Sequence, residues 1–289
     1  MTILVGEMGA SSSPRSGRRA NRSPVPEITG ERREHLLFLL SWISPLILVV
    51  LWEAASRTGV LSAHVLPPPS GVVFTAWKQA VGGTLFRDLF TSLARAMLGF
   101  LIGGGIGFAL GTLVGFSLLF GALIDRSVQM LRTIPFLALL PLVIVWFGVG
   151  EAQKVFMVSL GVMFPIYINT VLGIRQVDPK LIELGRVCGL GRTRMIREIV
   201  LPGALPSLLT GVRYSLATAW LALVVAETIG ASAGIGYLAL DAREFLRTDV
   251  VVLTIVIYAG IGILADSTAR WLERRLLDWH PSYAREARR

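Results

Sequence analysis

Six stretches of this chain run for about twenty residues each almost without charge, the length a helix needs to cross a bilayer. They lie at 36–54, 96–119, about 133–149, 155–174, 203–227 and 250–269. Each is helix-length rather than strand-length, which favours a bundle of helices over a barrel. Pro135, Pro141 and Pro165 interrupt the third and fourth stretches, so their ends are the least sharply drawn. Only 16% of the residues are charged and 53% are hydrophobic, where a soluble domain carries about a quarter charged. The expected fold is an all-α membrane protein with about six transmembrane helices.

The charges that remain are placed unevenly. With the N-terminus inside, 20 of the 28 Lys and Arg residues fall on the cytoplasmic side. They sit in the N-terminal tail, the loops at 117–132 and 175–202, and the C-terminal tail. That is the positive-inside pattern, and it accounts for the net charge of +9 without a nucleic-acid partner. Residues 1–35, rich in Ser, Pro, Arg and Gly, read as a disordered cytoplasmic tail. MTILVG at the start is too short for the apolar core of a cleaved signal peptide. A membrane domain is expected over 36–270, with its core from about 85, followed by a cytoplasmic tail over 271–289. Trp271 and Trp279, with Arg270, Arg274 and Arg275, form an interfacial belt with basic anchors.

Several chemistries drop out. The lone Cys188 supports neither a disulfide framework nor a cysteine metal site. His35, His64 and His280 have no metal-ligand spacing, and no cluster of His, Asp, Glu or Cys marks a membrane-embedded enzyme. GGGIGFALG at 103–111 fails the G-x-G-x-x-G spacing and follows no strand. It belongs to a different regularity: Gly99, Gly103, Gly107, Gly111 and Gly115 recur every four residues along one face of a helix. Small residues there let a neighbouring backbone approach closely, since lipid offers helices no hydrophobic reason to associate. The stripe reads as a tight contact, in the bundle or at a dimer seam, or as ordinary glycine enrichment in membrane helices.

The loop between the fourth and fifth stretches is the most informative segment. Asp178 followed by Pro179 is a helix start, an N-cap acid and a proline at the first helical position. Leu181, Ile182, Leu184 and Cys188 give the short helix an apolar face, and Gly189 and Gly191 end it. A second short helix is expected around Arg194–Val200, running up to Leu201 and Pro202, where the fifth span begins. An apolar-faced helix pair projecting from a membrane suits a cytoplasmic partner's grip.

Glu183, Gly189, Ile199, Leu201 and Pro202 resemble, in identity and spacing, the loop signature of permease subunits of binding-protein-dependent ABC importers. Leu184 and Gly185 stand where that signature has two small residues, and Leu184 is the departure. The resemblance covers nearly the whole chain beyond the tail and looks most like the nitrate/taurine/sulfonate branch, within it the aliphatic sulfonate permeases. It is carried by VLPPPSGVV at 65–73, SVQMLRTIPFLALLPLVIVWFG at 127–148, FPIYINT at 164–170 and VAETIGASAGIGYLALDAREFLRTDVVV at 225–252. The resemblance implies a type I importer permease fold with a cytoplasmic coupling helix, in the cell inner membrane with both termini cytoplasmic. It implies two copies of the permease, each seating its loop helix in a groove of an ABC ATPase subunit, and an extracytoplasmic binding protein that delivers substrate. Glu183, Leu184, Gly185, Gly189, Ile199, Leu201 and Pro202 would then couple the permease to its ATPase. No G-x-x-x-x-G-K-[ST] loop occurs in the chain, GVGEAQK and GLGRTR lacking the spacing. ATP and Mg therefore belong to the partner, and no cofactor is expected here.

Three further residues are candidates for the substrate path or gate. Arg213 is the one basic residue deep in a span, about 16 Å along the helix from Pro202. It either attracts an anion or is neutralised by Asp266 at a compatible depth. Glu227, near the outer end of the fifth span, belongs to an outer gate or binding-protein dock, or is a plain interfacial carboxylate. Asn169 lines the path or hydrogen-bonds between helices. The polar segment Asp241–Asp249 either contacts the binding protein or is a solvated connector. Taurine, nitrate or another small anion stands beside aliphatic sulfonates as the substrate. An ion-coupled secondary transporter is the competing class, but it would show several mid-membrane charges and internal repeats, and it leaves the loop signature unexplained.

Overall fold

The computed structural model describes residues 30–62 and 64–279. Of the expected tails, 1–35 and 271–289, residues 1–29 and 280–289, His280 included, lie outside them, while 30–35 begin a helix and 271–276 continue one. The chain forms two compact units, Met1–Leu51 and Trp52–Arg289. Helix α1 (Gly30–Arg57) begins in the first and carries the first expected span, with Pro45 inside it. Leu46, Leu48, Val50 and Leu51 are exposed along it, as suits a helix wrapped in lipid.

The second unit takes in the last two turns of α1, from Trp52 to Arg57. Three consecutive prolines, Pro67 to Pro69, end the connector, and Pro69 opens α2 (Pro69–Val81) at its first position. Pro68 has no side-chain acceptor for the free N–H groups of that first turn. Glu53 supplies it from α1, accepting from the Ser70 backbone N–H at 3.1 Å and the Ser70 hydroxyl at 2.8 Å.

The core of the unit is three helices: α3 (Thr84–Phe116), α7 (Glu151–Arg175) and α10 (Leu201–Glu227). The glycine stripe of α3 lies against α7, which resolves the two readings of that stripe in favour of a contact within the bundle. A Cβ added at Gly99 would sit 2.6 Å from Val158 Cβ, and one at Gly111 2.7 Å from Thr170 Cβ. At Gly103 and Gly107 it would overlap the backbone carbonyls of Ser159 and Met163 outright. The far side of α7 packs on α10 by the same means, with Gly173 against the Ala204 carbonyl and Gly211 against Asn169. Ala96, Val158, Val162, Ala219, Ala222 and Leu223 fill the space where the three helices meet.

Pro165 lies inside α7 and has no N–H to donate, which frees the Gly161 carbonyl one turn back. Thr218 of α10 donates its hydroxyl to that oxygen at 3.1 Å. The proline thus ties the two helices together instead of breaking one.

The third span differs from expectation. Residues 133–149 do not make one helix. Instead Leu118–Thr133 and Phe136–Phe147 are joined at a bend of 87°. The first arm is α4 (Leu118–Phe120), a wide turn at Gly121–Asp125 and α5 (Arg126–Thr133); the second is a tight turn at Phe136–Leu139 and α6 (Leu140–Phe147). Ile134 is held extended, at φ −73° and ψ 121°, because the ring of Pro135 excludes the helical conformation from the residue before it. Among the described residues, four helices are long and apolar enough to cross a membrane, or five spans if the bent pair is one.

The loop between spans four and five contains α8 (Pro179–Val187) and α9 (Arg192–Met195). The expected separate helix at Arg194–Val200 is not separate. From Arg192 the backbone runs through a wide turn at Ile196–Val200 into α10 as one 36-residue helix ending at Glu227. The ring of Pro202 crowds the carbonyl four residues before it, and the widened turn, with Leu201 N–H bonded to the Ile196 carbonyl, gives it room. Helices α11 (Ile235–Glu244) and α12 (Thr248–Leu276) complete the chain. Helices α3 and α12 start before, and α12 runs on past, the apolar stretches expected at 96–119 and 250–269.

The stripe makes a direct prediction. Gly103→Ala and Gly107→Ala each force α3 off α7 and cost about 1–3 kcal/mol, whereas Gly105→Ala, with nothing within 4 Å of its added Cβ, is neutral. Thermal melting of the purified variants by size-exclusion fluorescence checks the order, and equal melting of all three would exclude the glycine contact.

Candidate functional site

The loop helix α8 is built to present one face outward. Asp178 caps it, its carboxylate accepting the Lys180 N–H at 2.9 Å, with Pro179 at the first position. At the other end Gly189 adopts a left-handed φ of 72°. The Leu190 N–H then reaches the Gly185 carbonyl at 2.9 Å, and the Gly189 N–H reaches that of Arg186 at 3.0 Å. This is the Schellman closure, and a residue with a Cβ at position 189 would be strained.

Gly185 sits on the inner face: a Cβ there would lie 2.7 Å from Ile199 Cδ1 and 2.8 Å from Met195 Sδ. Leu181, Leu184 and Val187 are 49%, 59% and 86% exposed, beside exposed Glu183 and Cys188. Leu184, the departure from the loop signature, therefore lies on the presented surface and not in the internal packing. Leu201 is 46% exposed and Pro202 half-buried at the start of α10. The expected loop residues thus divide into a presented set, Glu183 and Leu184, and an anchoring set, Gly185, Gly189 and Ile199.

At the opposite end of the bundle lies an ionic cluster, buried except for Glu151. The Arg95 guanidinium of α3 donates to Glu151 through Nε and Nη2, both at 2.6 Å, and through Nη1 to Glu227 and to the Ala233 carbonyl, both at 2.7 Å. Glu227 is 1% exposed and also accepts from the Ser92 hydroxyl at 2.8 Å and the Gly236 N–H at 2.9 Å. The Ser92 oxygen takes the Ile235 N–H at 2.9 Å, and Asp88 takes the Gly234 N–H at 3.2 Å. Lys154, 2% exposed, approaches Glu151 at 3.4 Å. Glu227 is thus the residue that ties the loop at 228–236 and the end of α10 to α3. Its carboxylate accepts from three donors, two on α3 and one at the start of α11.

The other two expected path residues are placed differently. Arg213 does meet Asp266, through Nε and Nη2 at 2.8 Å each, and Asp266 also takes Arg270 at 2.6 Å. Asn169 turns its amide back to the Pro165 carbonyl at 2.8 Å and packs on Gly211. In the segment Asp241–Asp249, Arg247 pairs with Asp241 and Asp249 accepts from Thr75 at 2.7 Å. Phe245 and Leu246 between them are 69% and 85% exposed. Sequence reasoning overlooked Arg95, Ser92, Asp88, Glu151 and Lys154. A signal was present: Asp88, Ser92 and Arg95 fall at i, i+4 and i+7, on the face that continues as the glycine stripe.

Residues 103–278 match the binding-protein-dependent transport system inner membrane component family. The chain belongs to that family. It is 50% identical over 251 residues to the putative aliphatic sulfonates transport permease protein of Escherichia coli, covering 87% of this chain and 95% of that one. The protein of the same description in Bacillus subtilis is 47% identical over 265 residues, covering 92% and 95%. The Escherichia coli taurine transport system permease protein is 34% identical over 239 residues, covering 81% and 87%. Among solved structures, an amino acid ABC transporter with histidines shares the fold, with a TM-score of 0.58 at 18% identity, covering 70% of this chain and 98% of that one. The chain is thus an ABC importer permease, a multi-pass inner membrane component that does not catalyse a reaction and works with ATPase and binding-protein subunits.

The ionic cluster predicts strong coupling in a double-mutant cycle. Arg95→Ala strands the buried Glu227 carboxylate and costs about 3–5 kcal/mol, and adding Glu227→Gln recovers part of that loss. Melting temperatures of the three variants give the coupling. Simple additivity would mean that the two side chains do not act as a pair.

Proposed function

We propose that this permease carries aliphatic sulfonates inward across the inner membrane, working as a pair of copies with two ATPase subunits. The observation that carries the substrate is the near end-to-end identity, at about half of all positions, with two permeases described for aliphatic sulfonates. Taurine, itself an aminoalkanesulfonate, is the second reading, favoured by the lower identity to a taurine permease. Nitrate or another small anion is a third outcome of the same mechanism.

In this reading the N- and C-termini are cytoplasmic, which the basic excess of the tails and of the loops at 117–132 and 175–202 supports. The presented face of α8, with Leu181, Leu184 and Val187 outward, seats in an ATPase groove, and Glu183 flanks it. Gly185 and Ile199 hold α8 to the foot of α10, and Gly189 sets its exit. Leu201 and Pro202 begin the rigid helix that carries the motion upward. The cluster around Glu227 closes the outer end of the bundle, and the exposed Phe245–Leu246 tip beside it is the contact for a binding protein. Arg213 lies on the path. We assign Asn169 to bracing α7 against α10 rather than to the path, since its amide is already turned to the Pro165 carbonyl.

The test is uptake into proteoliposomes containing the permease and its ATPase, supplied with the cognate binding protein and a labelled alkanesulfonate. Uptake is expected to require ATP and to fall at least tenfold in Gly189→Leu, whose left-handed position strains any side chain. Leu184→Asp is expected to weaken ATPase co-purification while the protein folds. Uptake without ATP would replace the importer reading with an ion-coupled transporter. ATP-dependent uptake of taurine or nitrate alone would keep the mechanism and change the substrate.

A further inference from the structure

Between α10 and α12 lies a cavity of about 820 Å³, lined on one side by Arg213, Tyr214 and Trp220 and on the other by Asp266, Arg270 and Arg274. Its volume is in the range of small-molecule sites, about 300–1,000 Å³. Asp266 lies about 15 Å from the C-terminal end of α12 and about 27 Å from its start, and Arg213 about 21 Å from the end of α10. Arg213 and Asp266 therefore lie within the spans, with Arg270 and Arg274 toward the C-terminal end of α12. Yet Arg213, Asp266 and Arg270 are 44%, 34% and 48% exposed in the single chain. Charged groups half-open to their surroundings at such depth face water or protein, not lipid tails.

The electrostatics of the lining are unbalanced. Three arginines, Arg213, Arg270 and Arg274, line the cavity against two carboxylates, Asp266 and Glu273, leaving one positive charge in excess. Asp266 is shared between Arg213 and Arg270, so neither guanidinium has a full carboxylate to itself. The Trp220 ring adds an aromatic surface to the wall. Donors in excess of acceptors call for an anion. Beside the charges, Leu216, Ala217 and Ala265 give an apolar wall. An oxyanion with a short aliphatic tail satisfies both halves of the lining.

We propose that this cavity seats the anionic head of the alkanesulfonate during translocation, with Arg213 and Arg270 turning from Asp266 toward the sulfonate. The inference rests on the importer reading above. An anionic phospholipid headgroup has the same chemistry, and the experiment separates the two sources.

The experiment uses the permease–ATPase complex in nanodiscs, with Cys188→Ser to remove the native thiol and Ala217→Cys to place one at the exposed cavity wall. The thiol is reacted with two reagents of similar size, sulfonatoethyl and trimethylammonioethyl methanethiosulfonate. The sulfonate reagent is expected to react about tenfold faster than the cationic one. Arg213→Gln should reduce that ratio severalfold, and octanesulfonate should protect the thiol in discs of zwitterionic lipid. Equal rates, or a faster cationic reagent, would overturn the proposal. Slow reaction with both would mean that the second copy covers the cavity, and would overturn it too. Protection by phosphatidylglycerol but not by octanesulfonate would assign the site to lipid and remove it from the path. ATP-dependent uptake by the wild-type protein is measured alongside. A wild type that transports while the cavity shows no anionic preference defeats the cavity assignment alone, whereas a wild type that does not transport alkanesulfonate defeats the reading beneath it.

Discussion

Everything in the bundle depends on the closeness of α3 to α7. In lipid, two apolar helices gain nothing by leaving the acyl chains, so their association must come from contact between the helices themselves. Five glycines in register strip the side chains from one face of α3 and bring it onto the α7 backbone, where Gly103 and Gly107 meet carbonyl groups directly. Dispersion over that length, with weak Cα–H···O contacts, takes the place of the hydrophobic effect. Fixed on one side, α7 offers its other face to α10. There the carbonyl freed by Pro165 is matched by a hydroxyl from Thr218, so a residue that breaks soluble helices becomes a cross-link.

The same α3 face, followed toward its N-terminus, changes from glycine to charge. Arg95, Ser92 and Asp88 continue the stripe at helical spacing and meet Glu227 and the loop after it. The two ionic centres of the molecule then differ in a way that sorts their roles. Around Glu227 nearly every donor has an acceptor and the central groups are buried, which fixes a shape and leaves nothing for a ligand. Around Arg213 the charges are half-open, and two guanidinium groups divide one carboxylate. A saturated cluster holds a conformation, while an unsaturated one awaits a third party.

What the sequence disclosed follows from how local each signal is. Span length and positive-inside charge are properties of contiguous stretches, so four of the long helices were legible. The N-cap at Asp178 and the turn at Gly189 depend on neighbouring residues alone, and they formed as expected. The break at Pro135 was marked, but its 87° bend depends on what the two arms pack against, which no local pattern carries. The wide turn before Pro202 was illegible for a similar reason, because a proline near a helix start normally reads as a beginning and here sits within a longer helix. Arg95 was passed over because it was read by its side of the membrane and not by its face on α3. Glu227 drew notice as a charge near a span end, yet its side-chain partners come from residues more than a hundred positions away.

The helix from Arg192 to Glu227 connects these centres. Its 36 residues span about 54 Å without a break, with α8 fastened near one end through Gly185 and Ile199 and the ionic cluster at the other. Arg213 and the cavity lie between. In the proposed importer a displacement of α8 by the ATPase therefore reaches the outer end as motion of one rod and not as a relay of loose contacts. That rod is not free to move alone, because Glu227 at its tip is bonded to Ser92 and Arg95 of α3. Since α3 is locked to α7 by the glycine contact, the rod must either carry all three helices together or release Glu227. Breaking that tie would expose a buried carboxylate, a cost of several kcal/mol. Rigid-body rocking of α3, α7 and α10 as one block is the lower-energy course. The arm after the bend at Pro135 packs on α7 and α10 through Leu140 and Val143, so the face that α10 shares with α12, where the cavity is, is left to absorb the change.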